Sequence, residues 1–137
     1  MTQHLELYAG EEAYQHIKDN GLRASDIKML LGASSGPKWL TLQGIDQFLI
    51  NEFFKDREDE LYLMGTSAGA WRMATISIEL SEAGGNTHHQ FTENYIEQRY
   101  SKKPSAEEIL ATCRGIIQET LKNGGAEKII NHRFARM

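Results

Sequence analysis

The stretch Glu60-Leu-Tyr-Leu-Met-Gly-Thr-Ser-Ala-Gly-Ala70 decides the fold of this chain. It begins as a short apolar strand, passes through a G-x-S-x-G pattern and continues into residues 71–80, which are typical of a helix. Strand, sharp turn and helix in this order form the setting of a nucleophile elbow. The turn strains its central residue, so the flanking positions must lack bulk, as Gly65 and Gly69 do. The pattern predicts Ser67 as the nucleophile; the alternative is a glycine-rich helix start that serves packing alone.

A second loop of small residues, Gly32-Ala-Ser-Ser-Gly-Pro-Lys38, follows a predicted strand over residues 26–31. We expect this strand to lie beside the one at residues 61–64, so that the loops at their carboxyl ends meet. A serine nucleophile needs backbone N–H groups that receive the developing negative charge of the oxyanion. The alternative is a plain strand-to-helix turn rich in small residues. The expected donors are the N–H groups of Ser34, Ser35, Gly36 and Ala68, with Lys38 as a candidate anion contact.

Strand and helix patterns alternate in the first half of the chain, and helices dominate the second half. Gly21 and Ser105 mark helix ends, the first as a C-cap and the second as the start of a capping box. The order indicates an α/β fold, a parallel sheet flanked by helices with a helical C-terminal half. The strand at residues 26–31 hardly alternates, so we expect it to be buried on both faces. The predicted helices cover residues 11–20, 39–54, 91–100 and 105–121, and a weak edge strand covers residues 5–8.

The number of strands is small for such a sheet. Two strong strands and one weak strand would leave its edges exposed and one helix layer thinly supported. We therefore expect a single domain over residues 1–137 that is incomplete, either as part of a longer protein or as a chain stabilised by a second copy. The basic tail, residues 132–137, has no helix-ending signal, and premature termination fits it best.

Composition narrows the function classes. The chain of 137 residues has a net charge of −4 and no basic run, which argues against nucleic-acid binding. Its single cysteine excludes a disulfide framework and a thiolate metal cluster. The first residues have neither the basic region nor the apolar core of a signal peptide, and no apolar run is of membrane-spanning length. We expect a cytoplasmic protein.

A catalytic base is hard to find. All five aspartates precede Ser67 in the sequence, whereas the triad of α/β-hydrolases runs in the order serine, acid, histidine. Three histidines follow Ser67. His88 and His89 are predicted to lie in a polar loop as solvated imidazoles, and no acid is placed to orient either of them as a base. The chain thus has a nucleophile and an oxyanion hole, but lacks a convincing base.

The two loops together resemble the N-terminal part of the patatin-like phospholipase family. Ser34-Ser-Gly-Pro-Lys38 matches the oxyanion loop with its basic residue, and Gly65-Thr-Ser-Ala-Gly69 matches the elbow that follows it at suitable spacing. The resemblance implies a three-layer α/β fold and a Ser–Asp dyad that cleaves acyl esters of lipids through an acyl-enzyme, without a metal or other cofactor. In this reading Ser67 is the nucleophile, while Ser34, Ser35 and Gly36 supply oxyanion N–H groups. The implied substrate is an acyl ester of a lipid. We also expect transient contact with a membrane surface and, because the sheet is narrow, a second copy of the chain as partners.

The sequence departs from the family pattern at two points. Its oxyanion loop has alanine and serines where the family has a run of glycines, although backbone donors survive such replacements. No Asp-Gly dipeptide is present, and that motif carries the aspartate of the dyad in the family. The alternative function is therefore an inactive, truncated hydrolase that acts as a lipid-binding or assembly module. An S-x-x-K motif at Ser35 and a near-miss phosphate loop at Gly32 are weaker alternatives, because their companion residues are missing.

Overall fold

A parallel three-stranded sheet lies at the centre of the protein. The computed structural model describes residues 6–82 and 84–137. Within them the strand order is β1–β2–β3, and both neighbouring pairs are parallel. The predicted α/β class is confirmed at this level. The strands are β1 (Met29–Gly32), β2 (Leu61–Gly65) and β3 (Ala135–Arg136).

Six α-helices accompany the sheet in the described part of the chain. The first ends as predicted at Gly21, whose φ of 73° is the left-handed conformation that glycine adopts without strain. The helix predicted to start at residue 91 starts four residues earlier, at Thr87. The helices are α1 (Glu11–Asn20), α2 (Gln43–Phe48), α3 (Ala68–Leu80), α4 (Thr87–Ile96), α5 (Ala106–Thr120) and α6 (Gly125–Ile130).

The segment predicted as one helix over residues 39–54 is divided into three parts. A 3₁₀ helix (Gly36–Leu42) leads into α2, and a π-helical turn (Leu49–Phe53) follows it. The apolar spacing of this segment would place Ile45 and Phe48 on the inward face, but both are exposed. The face that packs inwards carries Trp39, Asp46, Ile50 and Phe54. The buried carboxylate of Asp46 interrupts the apolar pattern of this face, so apolar periodicity does not predict it.

The main core lies between the sheet and α3. Leu61 and Leu63 of β2 pack with Met73 and Ile76 of α3, and all four side chains are buried. Each such apolar side chain contributes about 1.5–3 kcal/mol when it is fully removed from water. This packing fixes α3 against β2 and with it the turn that joins them.

The other face of the sheet is bare in the described residues. Met29 pairs in register with Tyr62, and Leu31 with Met64. The exposed fractions are 44% for Met29, 47% for Tyr62, 68% for Leu31 and 58% for Met64. The expectation that β1 is buried on both faces was therefore wrong, because the described helices pack on one face only.

The third strand is not where the sequence suggested it. The edge strand predicted over residues 5–8 falls partly outside the described residues, and residues 6–8 form no strand. Instead the tail forms β3 beside the start of β2. His132 shapes this tail, because its Nδ1 accepts hydrogen bonds from the N–H groups of Phe134, at 3.1 Å, and Ala135, at 2.8 Å. Nδ1 must then be unprotonated, so the proton of the neutral ring is on Nε2.

Stability is expected to depend on the protonation of His132. Burial, assisted by the charges of Arg133 and Arg136, lowers the pKa of His132. The unfolded chain, with a histidine pKa of about 6.5, then binds the proton more readily than the folded protein. The stabilisation that the unprotonated His132 ring provides is complete above about pH 6.5. It is lost as the pH falls towards the lower pKa of the folded protein.

The variant His132→Asn should remove this pH dependence, because an amide oxygen can accept the same two hydrogen bonds but does not titrate. Urea unfolding at several pH values between 7.5 and 5 measures the slope of the unfolding free energy against pH. His89→Asn, at an exposed position, is the control and should keep it. A slope unchanged in His132→Asn would show that another group titrates.

Candidate active site

Ser67 occupies the turn between β2 and α3 in a strained backbone conformation. Its φ is 52° and its ψ is −128°, and its side chain is exposed. Among the non-glycine residues of the described chain only Asn123 also has a positive φ. A residue held in such a region costs about 1–3 kcal/mol. The packing of α3 on β2 outweighs that strain, and the conformation predicted for the centre of an elbow is present.

Three glycines allow the two loops to meet. A Cβ added at Gly69 would lie 2.1 Å from the carbonyl oxygen of Gly32, and one at Gly65 would lie 2.5 Å from the backbone of Gly69. The N–H of Thr66 donates to the carbonyl of Gly32 at 3.1 Å. Gly32 and Gly65 are partners at the carboxyl ends of β1 and β2. The predicted neighbourhood of the two strands and their loops is thus confirmed.

The predicted oxyanion donors lie in these two loops. Ser34 and Ser35 follow β1, Gly36 opens the 3₁₀ helix with a φ of 53°, and Ala68 is the first residue of α3. None of their backbone N–H groups donates a hydrogen bond to another described residue. The next two N–H groups of α3 are satisfied by Thr66 and Ser67. The amino end of α3 also carries partial positive charge, which favours an anion at this position.

Lys38 is placed less decisively. It lies in the 3₁₀ helix after the oxyanion loop, and its side chain is exposed. Its backbone N–H donates to the carbonyl of Ser35 at 3.3 Å, which closes the first turn of that helix. The side chain makes no ion pair within the described ranges.

No catalytic base contacts Ser67 among the residues that the structure describes. Its hydroxyl makes no side-chain hydrogen bond to any residue in the described ranges. Asp26 precedes β1, Asp59 precedes β2 and His132 precedes β3, so all three belong to the amino ends of the strands. Ser67 follows the carboxyl end of β2. Parallel topology therefore separates these groups from the nucleophile by the length of the sheet.

The histidine pair is not the solvated loop that the sequence suggested. Both residues belong to α4, and His88 is fully buried whereas His89 is exposed. Nδ1 of His88 lies 2.8 Å from the hydroxyl of Thr75, and its backbone N–H donates to the Glu79 carboxylate at 2.6 Å. The prediction missed this because a histidine becomes a core residue only when other elements supply its polar partners.

A buried ion pair beside His88 was also missed. Asp46 is 0% exposed and Arg72 is 8% exposed. Nε of Arg72 donates to one carboxylate oxygen at 2.7 Å, and Nη2 donates to the other. Nε2 of His88 lies 3.4 Å from the same carboxylate. Arg72 among the small and apolar residues at the start of α3 was the available signal, since a buried charge at such a position requires a partner.

The pKa of Asp46 follows from these contacts. Burial alone would raise the pKa of the carboxyl group. The hydrogen bonds and charges of Arg72 and His88 outweigh burial and hold the pKa below its ordinary value. Asp46 is therefore ionised at neutral pH, and its charge is balanced by Arg72.

An apolar cavity of about 240 Å³ opens beside the first turns of α3. Ala70 and Trp71, three and four residues after Ser67, are among its lining residues, although Ser67 itself is not. A larger cavity of about 940 Å³ lies near Glu79 and Arg133, at the far end of α3 from Ser67. Proximity to the nucleophile makes the smaller cavity the relevant one. Its other lining residues are Ala74, Thr75, Phe91, Ile117, Thr120, Leu121, Ile129 and Met137.

The described residues contain neither a metal site nor a membrane-spanning helix. No group of three or more histidine, cysteine, aspartate or glutamate side chains in residues 6–82 and 84–137 is arranged to hold a metal ion. No helix in the same ranges has the length and apolarity needed to cross a bilayer.

Comparison of the chain with protein-family models, curated proteins and solved structures finds no match.

Proposed function

We propose that this chain carries the nucleophile and oxyanion hole of a patatin-like serine hydrolase that cleaves acyl esters of lipids. The observation that carries the proposal is Ser67, held at a φ of 52° where β2 turns into α3 and β1 ends alongside. A strained, exposed serine in that position serves no packing purpose. In this proposal the described sheet and its helices belong to a three-layer arrangement of the patatin type.

The chemistry would proceed through an acyl-enzyme. Oγ of Ser67 attacks the ester carbonyl, its proton passes to a base, and the alcohol leaves with a proton. Water then cleaves the new Oγ–acyl bond. Backbone N–H groups of Ser35, Gly36 and Ala68 would stabilise the oxyanion, and removal of one such donor typically costs about 2.7–4 kcal/mol of the barrier. The base is the one component that no described residue supplies.

The small apolar cavity supports an acyl substrate. It begins one helical turn beyond Ser67, and its lining is almost entirely hydrocarbon and aromatic. An acyl chain bound there would lose its contact with water, which is worth about 0.8 kcal/mol for each buried CH₂ group. Esters of medium-length acids should therefore be preferred over acetate. Contact with a membrane surface would deliver such substrates, with no metal or other cofactor required.

A second candidate is a catalytically inactive module that binds lipid or assembles with other chains. Two observations favour it. No aspartate follows Ser67 in the sequence. The bare sheet face formed by Met29, Leu31, Tyr62 and Met64 is also an apolar surface of the kind that interacts with partners.

Labelling by a fluorophosphonate probe tests the proposal. Oγ of Ser67 would form a bond to phosphorus, fluoride would leave, and the hydroxyl proton would pass to solvent. Wild-type protein should be labelled, and Ser67→Ala should lose labelling completely because the attacking oxygen is gone. Ser25→Ala, at an exposed serine in the Ala24–Asp26 turn, is the matched control and should be labelled like the wild type.

Hydrolysis of p-nitrophenyl acetate and octanoate, run on the same three proteins, separates the candidates. Turnover that depends on Ser67 and favours octanoate supports the hydrolase. Labelling without turnover supports the inactive module that still has its elbow. Labelling that persists in Ser67→Ala would remove Ser67 from consideration.

A further inference from the structure

We propose that the buried Asp46–Arg72 pair is a positioning device that holds the oxyanion loop in register with Ser67. This inference rests on the proposed function of Ser67 and assigns a role to two residues that do not touch the substrate. The two side chains belong to the helical segments that follow the two loops of the site.

The chain connectivity places the pair where it can act on both loops. The oxyanion loop continues through the 3₁₀ helix Gly36–Leu42 into α2, which carries Asp46. The elbow continues into α3, where Arg72 lies five residues after Ser67. The two segments also meet through the close approach of Gly32 and Gly69 at the strand ends and through the packing of Trp39 and Ala68 in one apolar cluster. The ion pair is a further connection, placed behind the site.

The geometry of the contact is restrictive. Two nitrogens of a planar guanidinium donate to two oxygens of one carboxylate, which fixes both distance and orientation. The carboxylate is fully buried, so water cannot replace a lost bond. His88 and Thr75 extend the polar cluster towards α4. The indole of Trp39, 2% exposed on the segment between loop and α2, has its ring centroid 6.0 Å from that of His88.

Energetics argue that position, rather than stability, is what the pair contributes. Replacement of a buried ion pair by apolar residues of similar volume is often neutral or stabilising. Leucine and methionine could fill the same space without fixing an orientation. A displacement of about 1 Å between reacting groups can lower a rate by about 100-fold. An ion pair that holds the two halves of the site in place therefore raises the reaction rate at Ser67, and an apolar pair of the same volume would not.

The double variant Asp46→Leu/Arg72→Met tests the proposal. It should unfold in urea at the same concentration as wild type or a higher one, because no uncompensated charge remains. The rate of fluorophosphonate labelling at Ser67 should nevertheless fall at least tenfold. The matched control is Glu82→Gln/Lys128→Met, which removes a partly buried ion pair away from the loops. It should leave the urea midpoint and the labelling rate unchanged. A stable double variant labelled at the wild-type rate would overturn the positioning role.

Two further measurements keep the test decisive. If the double variant does not fold, Arg72→Lys is the alternative, because it keeps the charge but loses the bidentate contact. This variant should remain folded and should be labelled more slowly than wild type. An unchanged labelling rate would contradict the proposal. Amide hydrogen exchange requires no reactive serine, and it can be followed at Thr66 and Lys38, whose N–H groups donate to the carbonyls of Gly32 and Ser35. Faster exchange there in the double variant supports positioning even if the wild type is never labelled, whereas unchanged exchange overturns it. Failure of labelling in the wild type alone would count against the proposed function and not against the positioning role.

Discussion

The Gly69→Ala variant is expected to lose most of its folding stability. The added methyl carbon would lie 2.1 Å from the carbonyl oxygen of Gly32, 2.3 Å from its carbonyl carbon and 2.7 Å from the carbonyl oxygen of Ala33. These are backbone atoms at the end of a paired strand, so they cannot move aside as a flexible side chain could. Helix α3 would have to withdraw from the sheet, with loss of the packing between β2 and Met73 or Ile76.

We expect a loss of more than about 4 kcal/mol, which is in the range reserved for severe core damage. Since small domains have a total stability of about 5–15 kcal/mol, much of the protein should be unfolded at 37 °C. Thermal unfolding followed by far-ultraviolet circular dichroism measures the loss. Gly115→Ala is the control, because this glycine lies in α5 with open space around it and the change should stabilise the helix by about 0.5–1 kcal/mol. Equal stability of the two variants would contradict the close approach of the loops.

The Asp46→Ala variant is expected to show the second large effect. It leaves the guanidinium of Arg72 buried without its carboxylate, and the loss of one partner of a buried pair costs about 3–5 kcal/mol. Glu97→Ala is the matched control, since its pair with Arg99 is exposed on both sides and contributes about 0–1 kcal/mol. Urea unfolding at pH 7 should separate the two variants clearly. A loss for Asp46→Ala as small as that of the control would mean that the pair is not formed in solution.

The same variant has a defined pH dependence. Because the folded pKa of Asp46 is lowered, the stabilisation by its charge is complete above the unfolded value of about 3.9. It is lost as the pH falls through the lower folded pKa. The difference in stability between wild type and Asp46→Ala should therefore shrink below about pH 4.

Several features were predictable from short stretches of sequence. The strands around Leu30 and Leu63, the elbow at Ser67 and the cap at Gly21 all depend on residues that are close together in the chain. The N-cap at Ser105 was also correct, since its hydroxyl accepts from the N–H of Glu108 at 3.2 Å. The second half of that capping box was wrong, because the Glu108 carboxylate bonds to Ser101 instead. A capping-box pattern predicts that the Glu108 carboxylate accepts a hydrogen bond, but several nearby N–H and O–H groups can donate it.

The features that were missed depend on residues far apart. Asp46 received no role from the sequence, because nothing near it in the chain can compensate a buried charge. His88 was misplaced for the same reason. The third strand at Ala135 was missed because a two-residue strand carries no pattern of its own and forms only along an edge that β2 already offers.

The sequence by itself determined the turn at Ser67, because only small residues at positions 65 and 69 permit its strained backbone, and that constraint is local. The tertiary structure alone decided which charges lie behind this turn and which face of the sheet remains bare. Burial of Asp46 is favourable only when Arg72, 26 residues away in sequence, arrives with the matching geometry. Pairing of charges across distant elements is a property of the folded chain, and no window of sequence contains it.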